Sequence, residues 1–291
     1  MRVRERLVYT NENGVSVEFS ANSVYHMEEN TGLNDIRNII YSFHSMGQDG
    51  DTFLGNRIES RDITISGKIN KRDKEEIAEC RRNLNKILNP NLRATLTYIL
   101  GDFVRVTDCE VEIPTMPPSV ILQEFFIQLN CLNPFWREPN ESSANIAYWV
   151  GDFHFPLVIP HDTGIMFGHR QPSLIVNVRN NGDVPTGMRI EFRALGIVVN
   201  PSLFNIETRR FIQFNNLTLN AGDILTVNTN FGQKAVTLRR EQQTTNAFRY
   251  IDIDSTYMQL EPGDNHFRYN AEANLDNLEV YIFYYNRYLG V

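Results

Sequence analysis

Apolar and polar residues alternate with period two along most of this chain. Ile63, Ile65 and Ile69 are separated by Asp62, Thr64, Ser66 and Lys68; Cys109, Val111 and Ile113 alternate with Asp108, Glu110 and Glu112; Phe125, Ile127, Leu129 and Cys131 face away from Glu124, Gln128 and Asn130. Successive side chains of a strand point to opposite faces, so each run predicts a half-buried β-strand. Asn180-Asn181-Gly182-Asp183, Ala221-Gly222-Asp223 and Pro262-Gly263-Asp264 punctuate the pattern with residues that accept positive φ or preset a turn. Many short strands separated in this way predict sandwiches or barrels.

One segment departs from period two. Between about Asp73 and Leu88, the apolar residues Ile77, Cys80, Leu84, Ile87 and Leu88 recur at spacings of three and four, one stripe down a helix. Asp73 with Glu76 three residues on resembles a capping box, and Asn89-Pro90 predicts the stop. The remaining positions mix Lys71, Arg72, Lys74, Arg81, Arg82 and Lys86 with Glu75, Glu76 and Glu79, the composition of a solvated face. The helix is thus expected to pack one side on a sheet.

Pro134, Pro139, Asn140, Glu141 and Ser142 cluster after the strand ending at Cys131, which predicts two domains, residues 1–137 and 138–291. The second shows no helical periodicity and reads as an all-β sandwich. Its last strand, Val280 to Tyr285, is apolar on both parities and predicts cover on both faces.

Charge narrows the function. The 291 residues carry 28 Lys and Arg against 35 Asp and Glu, a net charge of −7, and neither predicted domain is basic. Binding driven by counterion release needs a cationic surplus, so sequence-specific nucleic-acid binding is not predicted. The charged start Met1-Arg2-Val3-Arg4-Glu5-Arg6 predicts no signal peptide, and no apolar run is long enough to cross a bilayer. Three cysteines without a Cys-x-x-Cys spacing predict buried thiols rather than a disulfide framework.

No constellation reaches the pattern that catalysis requires. His154, His161, Asp162 and His169 cluster in sequence, but at no spacing that fixes metal geometry. Asp252 and Asp254, between Ile251 and Ile253, would share one strand face, whereas paired acid catalysis needs carboxylates across a cleft. No nucleophile elbow, phosphate loop or dinucleotide fingerprint occurs, and Cys80, Cys109 and Cys131 have no local signature of an activated thiolate. Trp136 and Trp149 lie near the predicted junction, suited to filling the seam between domains or stacking on a sugar. No catalytic, cofactor-binding or metal residue is therefore assigned, and no enzyme is predicted.

Particular stretches resemble the distal tail proteins of long-tailed bacteriophages, the siphovirus-type tail component family. The first is Gly55 to Ile65, read as a loop delivering Arg61 into an alternating strand; the second is the helix ending at Leu84, Leu88, Asn89 and Pro90. Leu129 to Trp136, with Asn133-Pro134, is similar to the end of the family's first domain. Phe153 to Leu157, Pro172 to Asp183, Asn200-Pro201, Ala221 to Leu225, Leu260 to Asn265 and Tyr288 to Val291 then follow in the family's order.

The resemblance implies an N-terminal β-sandwich carrying one helix, closing into a hexameric ring, and a C-terminal sandwich of galectin-like topology. It implies a structural virion protein, assembled in the bacterial cytoplasm, that joins the tail tube protein to the tail-tip hub and to receptor-binding proteins, without cofactor or membrane. The ring's lumen is expected to be acidic or neutral, so that transiting DNA does not adhere. Sugar-binding galectin-like domains use a His, Asn, Arg, Trp and Glu set that has no match here, and fold alone does not confer function. Two alternatives stand beside this reading: a carbohydrate-binding module for host surface glycans, and the baseplate ring of a prophage-derived tail-like bacteriocin.

Overall fold

The computed structural model describes residues 5–117, 123–145, 149–151, 168–170 and 175–291, and is mainly β with one α-helix among them. The chain forms two compact units, Met1–Pro139 with Arg287–Val291, and Asn140–Asn286.

The first unit contains β1 (Arg6–Asn11), β2 (Ser16–Ser20), β3 (Tyr25–Thr31), β4 (Asn38–Phe43), β5 (Thr52–Ile58), β6 (Arg61–Ile69), α1 (Lys74–Ile87), β7 (Ala94–Leu100), β8 (Phe103–Thr115), β9 (Glu124–Cys131) and β10 (Trp136–Arg137). Its main sheet runs β8-β7-β1-β2-β3-β6-β9, and β9 pairs back onto β8. The 13-residue β8 makes this closure: Phe103 to Cys109 pair with β7, and Glu110 to Thr115 with β9. The expected N-terminal sandwich is therefore corrected to one sheet closed like a barrel, which leaves no free edge between β8 and β9.

Alternation holds where a strand faces the core. Ile63, Ile65, Ile69, Phe125, Ile127, Leu129 and Cys131 are all buried. Ile113 departs from it: the β8–β9 register shifts between Val111 and Ile113, and the bulge turns Ile113 to 42% exposure while Val111 stays inside. The helix starts where its caps predict, with the Asp73 carboxylate accepting from the Glu76 amide at 3.4 Å. Glu76 does not complete the capping box; its carboxylate pairs with Lys71 at 3.3 Å. Leu84 and Leu88 are buried, Cys80 and Ile87 pack at the core's margin, and the Tyr25 hydroxyl donates to the Cys80 carbonyl at 3.0 Å.

Trp136 is fully buried within this unit and donates its indole N–H to the Leu33 carbonyl at 2.9 Å, so it fills the first core rather than a seam between domains or a sugar platform. The chain returns at its end as β24 (Arg287–Tyr288), pairing with β10 through Trp136↔Tyr288 and Arg137↔Arg287.

The second unit contains β11 (Ser142–Asn145), β12 (Trp149–Gly151), β13 (Gly168–Arg170), β14 (Ile175–Asn180), β15 (Met188–Ala194), β16 (Val198–Asn205), β17 (Phe211–Gln213), β18 (Thr218–Leu219), β19 (Ile224–Asn228), β20 (Ala235–Arg240), β21 (Gln243–Asn246), β22 (Gly263–Ala273) and β23 (Leu278–Tyr284). One sheet runs β11-β23-β15-β19-β20-β21, a second β14-β22-β16-β17 with β18 on β16, and β12 pairs with β13. Both large sheets contribute to a single hydrophobic cluster, with Ile190, Phe192, Val280 and Ile282 from the first and Leu203, Phe267 and Tyr269 from the second. The last strand has only one face in that core. On its other face Tyr281 and Phe283 are half-buried beneath the Arg193 and Arg189 guanidinium groups, at 4.3 and 4.1 Å from the ring centres.

The predicted turns divide in two. Gly222 and Gly263 adopt φ of +87° and +95°, whereas no described residue from Asn180 to Asp183 has positive φ. There the Asn180 side chain organises the turn, accepting from the Gly182 amide and donating to the Val184 and Leu260 carbonyls.

Candidate assembly surface

Among the described residues the β4–β5 hairpin pairs with no other strand. Register matches Asn38 with Ile58, Ile40 with Asn56 and Ser42 with Phe53, with a bulge between Tyr41 and Ser42. This alternation puts Ile40 and Phe53 on one face and Tyr41 and Phe43 on the other. Exposures of 63% for Ile40, 57% for Phe43, 64% for Phe53 and 66% for Leu54 show that neither face is covered. A two-stranded hairpin is marginal alone in water, and a contiguous exposed apolar patch marks an interaction surface.

Polar contacts fix the hairpin's two ends. At its base the Glu59 amide donates to the Arg37 carbonyl at 2.9 Å, and the Glu59 carboxylate accepts from Arg37 Nε at 3.0 Å. At its tip His44 Nδ1 lies 3.1 Å from Asp51 and Gln48 pairs with Thr52. Gly55 to Ile58 is thus the second half of a strand, correcting its expected role as a loop. Sequence reasoning did not single out this hairpin, although Ile39-Ile40-Tyr41 and Phe53-Leu54, apolar on both parities around a polar turn, are visible in the chain.

Arg61 follows the hairpin and is 3% exposed. Its Nη1 donates to the Gly32 and Leu33 carbonyls at 2.9 and 2.6 Å, its Nε to Pro134 at 2.8 Å and its Nη2 to Leu289 at 2.6 Å. Burial lowers its pKa, opposed by the neighbouring Cys131 and Asp35. One guanidinium therefore ties the chain before the hairpin, the segment after β9 and the C-terminal residues together. Gly32 adopts φ +85°, and a Cβ there would lie 2.0 Å from the Asp62 carbonyl oxygen, so only glycine fits beside this junction.

The residues weighed for chemistry do not converge. Asp252 and Asp254 lie in a turn rather than on a strand face: Asp252 accepts from the Asn215 side chain at 2.6 Å and from the Asp254 amide at 2.8 Å. Cys109 and Cys131 are buried free thiols in the first core, and burial pushes Cys131 up to about 11. Residues 154, 161 and 162 and the side chains of His169 and Trp149 lie outside the described residues. Among the described residues no group of acidic, histidine or cysteine side chains could hold a metal, and no helix is long and apolar enough to cross a membrane.

The first unit is a barrel-like sheet bearing one helix and a separate hairpin, and the second a two-sheet unit, and this fold is shared with solved structures. The chain aligns over 97% of its length with 98% of the crystal structure of SPP1 Dit, described as a paradigm of the hub adsorption apparatus in Gram-positive infecting phages, at TM-score 0.68 and 12% identity. It aligns with chains of the phage p2 baseplate in its activated conformation, with Sr (TM-score 0.52, 13% identity, 97% of this chain and 98% of that) and with Ca (0.53, 12%, 98% of each). No curated protein sequence matches it. Residues 16–131 match the phage tail protein RIFT-related domain, and residues 181–288 match the siphovirus-type tail component, C-terminal domain. The chain belongs to the siphovirus-type tail component family, the distal tail proteins, and is a structural component of a bacteriophage tail.

Proposed function

We propose that six copies of this chain close into a ring at the far end of the tail tube, joining the tube to the tail-tip hub and the receptor-binding apparatus. In this reading residues 1–137 form the ring. Residues 138–291, a β-sandwich of galectin-like topology, form an adaptor surface for the next tail component. Assembly takes place in the bacterial cytoplasm.

The observation that carries this reading is the β4–β5 hairpin, whose apolar residues are uncovered on both faces. Such a hairpin gains most when laid against another copy, because burial removes both faces from water at once. Identical subunits meeting head to tail close into a ring when their rotation divides a full turn. SPP1 Dit, which shares this fold, is described as a paradigm of a hub adsorption apparatus, and this supports the placement.

The test combines native mass measurement and negative-stain imaging of the protein with a density map of the intact virion. Six chains per particle, lost in an Ile40→Glu/Phe53→Glu variant that keeps its melting temperature, are expected. A virion map without this chain at the tube's distal end would overturn the proposal. The same map tests the lumen, which is expected to be acidic or neutral; a strongly basic lining would refute that part.

A further inference from the structure

The second sheet of the second unit turns one face away from the core. Along β16 and β22 the inward residues Leu203, Phe267 and Tyr269 are buried, which directs Ser202, Phe204, Arg268 and Asn270 outward. Register aligns them in two rows, Phe211–Phe204–Arg268 and Gln213–Ser202–Asn270. These six residues, with Leu203, line a groove of about 380 Å³.

The groove combines three kinds of group. Phe204, 37% exposed, and Phe211 supply an aromatic floor. Ser202, Gln213 and Asn270 supply a hydroxyl and two amides that donate and accept. Among the described residues Arg268 is the only charged one in the lining, and none of their carboxylates pairs with it. The contrast with nearby positions is informative: Asn177 and Arg179 lie against Asp264, Asn200 bonds to Glu272, and His266 bonds to Glu207.

We propose that this groove binds an acidic saccharide, a pyranose carrying a carboxylate. The C–H face of the ring packs on Phe204. The carboxylate takes a two-point bond from Arg268, whose planar fork matches it. The hydroxyls of the same ring pair with Asn270, Gln213 and Ser202. A protein strand is a poorer occupant, because these residues stand on the face of the sheet and offer no free backbone edge. A guanidinium with no carboxylate partner among the described residues, beside an aromatic ring, selects a ligand that is apolar on one side and anionic at its rim.

The test uses the full chain, with methyl β-glucuronide and methyl β-galacturonide as probes and the corresponding neutral glucoside and galactoside as controls. Binding is read by saturation-transfer NMR and titration. At least one uronide is expected to bind about tenfold more tightly than its neutral counterpart, the effect of one charge-assisted bond. Arg268→Gln should erase that preference, while Phe204→Ala should weaken uronide and neutral sugar alike. Both variants are expected to keep the particle mass of the parent chain, which separates this groove from the assembly surface. Absence of transfer to either uronide, binding unchanged in both variants, or preference for an acidic peptide such as oligoglutamate over the uronides would each overturn the proposal.

Discussion

Replacing Arg61 with Met removes a buried cation that donates to four carbonyl oxygens, on Gly32, Leu33, Pro134 and Leu289. A hydrogen bond from a charged donor contributes about 1.5–3 kcal/mol, so four sum to roughly 6–12 kcal/mol gross. Against this stands the desolvation of a guanidinium that is 3% exposed, which costs several kcal/mol and is avoided by Met. The net loss is about 3–5 kcal/mol, a large fraction of a typical folding free energy of about 5–15 kcal/mol. For a unit of this size it corresponds to a fall of about 10–15 °C in melting temperature. Urea denaturation followed by circular dichroism gives the free energy. Carboxypeptidase digestion reports the local effect, because the Leu289 tie is lost and the C-terminal residues should be trimmed faster. Arg61→Lys should lose nearly as much, since a single ammonium cannot span the spread of carbonyls that the fork reaches. A loss below about 0.5 kcal/mol for Arg61→Met would refute the reasoning.

Leu84→Ala should cost about 2–5 kcal/mol in the same denaturation assay, because Leu84 is the fully buried anchor of the helix; a loss under about 1 kcal/mol would show that the helix is not held by this contact. With its pKa raised to about 11, Cys131 is roughly one part in a thousand thiolate at pH 8, so peptide mapping should find it modified by a disulfide reagent only on unfolding, unlike the half-buried Cys80; prompt modification at Cys131 in the native protein would contradict its burial. The raised thiol also sets a sign: its contribution is complete below the ordinary thiol range near 8.5 and is lost as pH rises toward 11, because only the unfolded chain ionises there. Desolvation raises the pKa of Glu207, but the hydrogen bonds from His266 outweigh it and hold the carboxylate below its ordinary value. Its contribution should be present above about pH 4.3 and fade as pH falls through the lowered value, so Glu207→Gln should flatten stability measured across that window.

The acidic balance and the apolar pattern constrain this protein in different ways. Charge bears on what passes by, since −7 over 291 residues gives little attraction to a phosphate backbone. Pattern bears on what packs. The hairpin lies outside the reach of both arguments. Its apolar residues fall on both parities, and a strand covered on both faces has the same composition as one exposed on both until a partner arrives. Arg61 was legible as a residue delivered into a strand, but not its four acceptors, which come from positions 29, 28, 73 and 228 residues away.

Local physics wrote much of this fold into the chain. The helix could be bounded by Asp73 and Asn89-Pro90 because caps and proline act within one turn, and the buried sets of β6 and β9 could be named because the strand period is two. The positive φ at Gly222 and Gly263 was readable for the same reason. Only the tertiary structure decided that β8 bends to pair β7 with one half and β9 with the other, closing the sheet. It also decided that a bulge expels Ile113, that Asp252 and Asp254 sit in a turn, and that β24 returns to β10. Each of these depends on which distant strand offers its backbone groups, and a residue carries no local record of the partner that will satisfy its N–H and C=O.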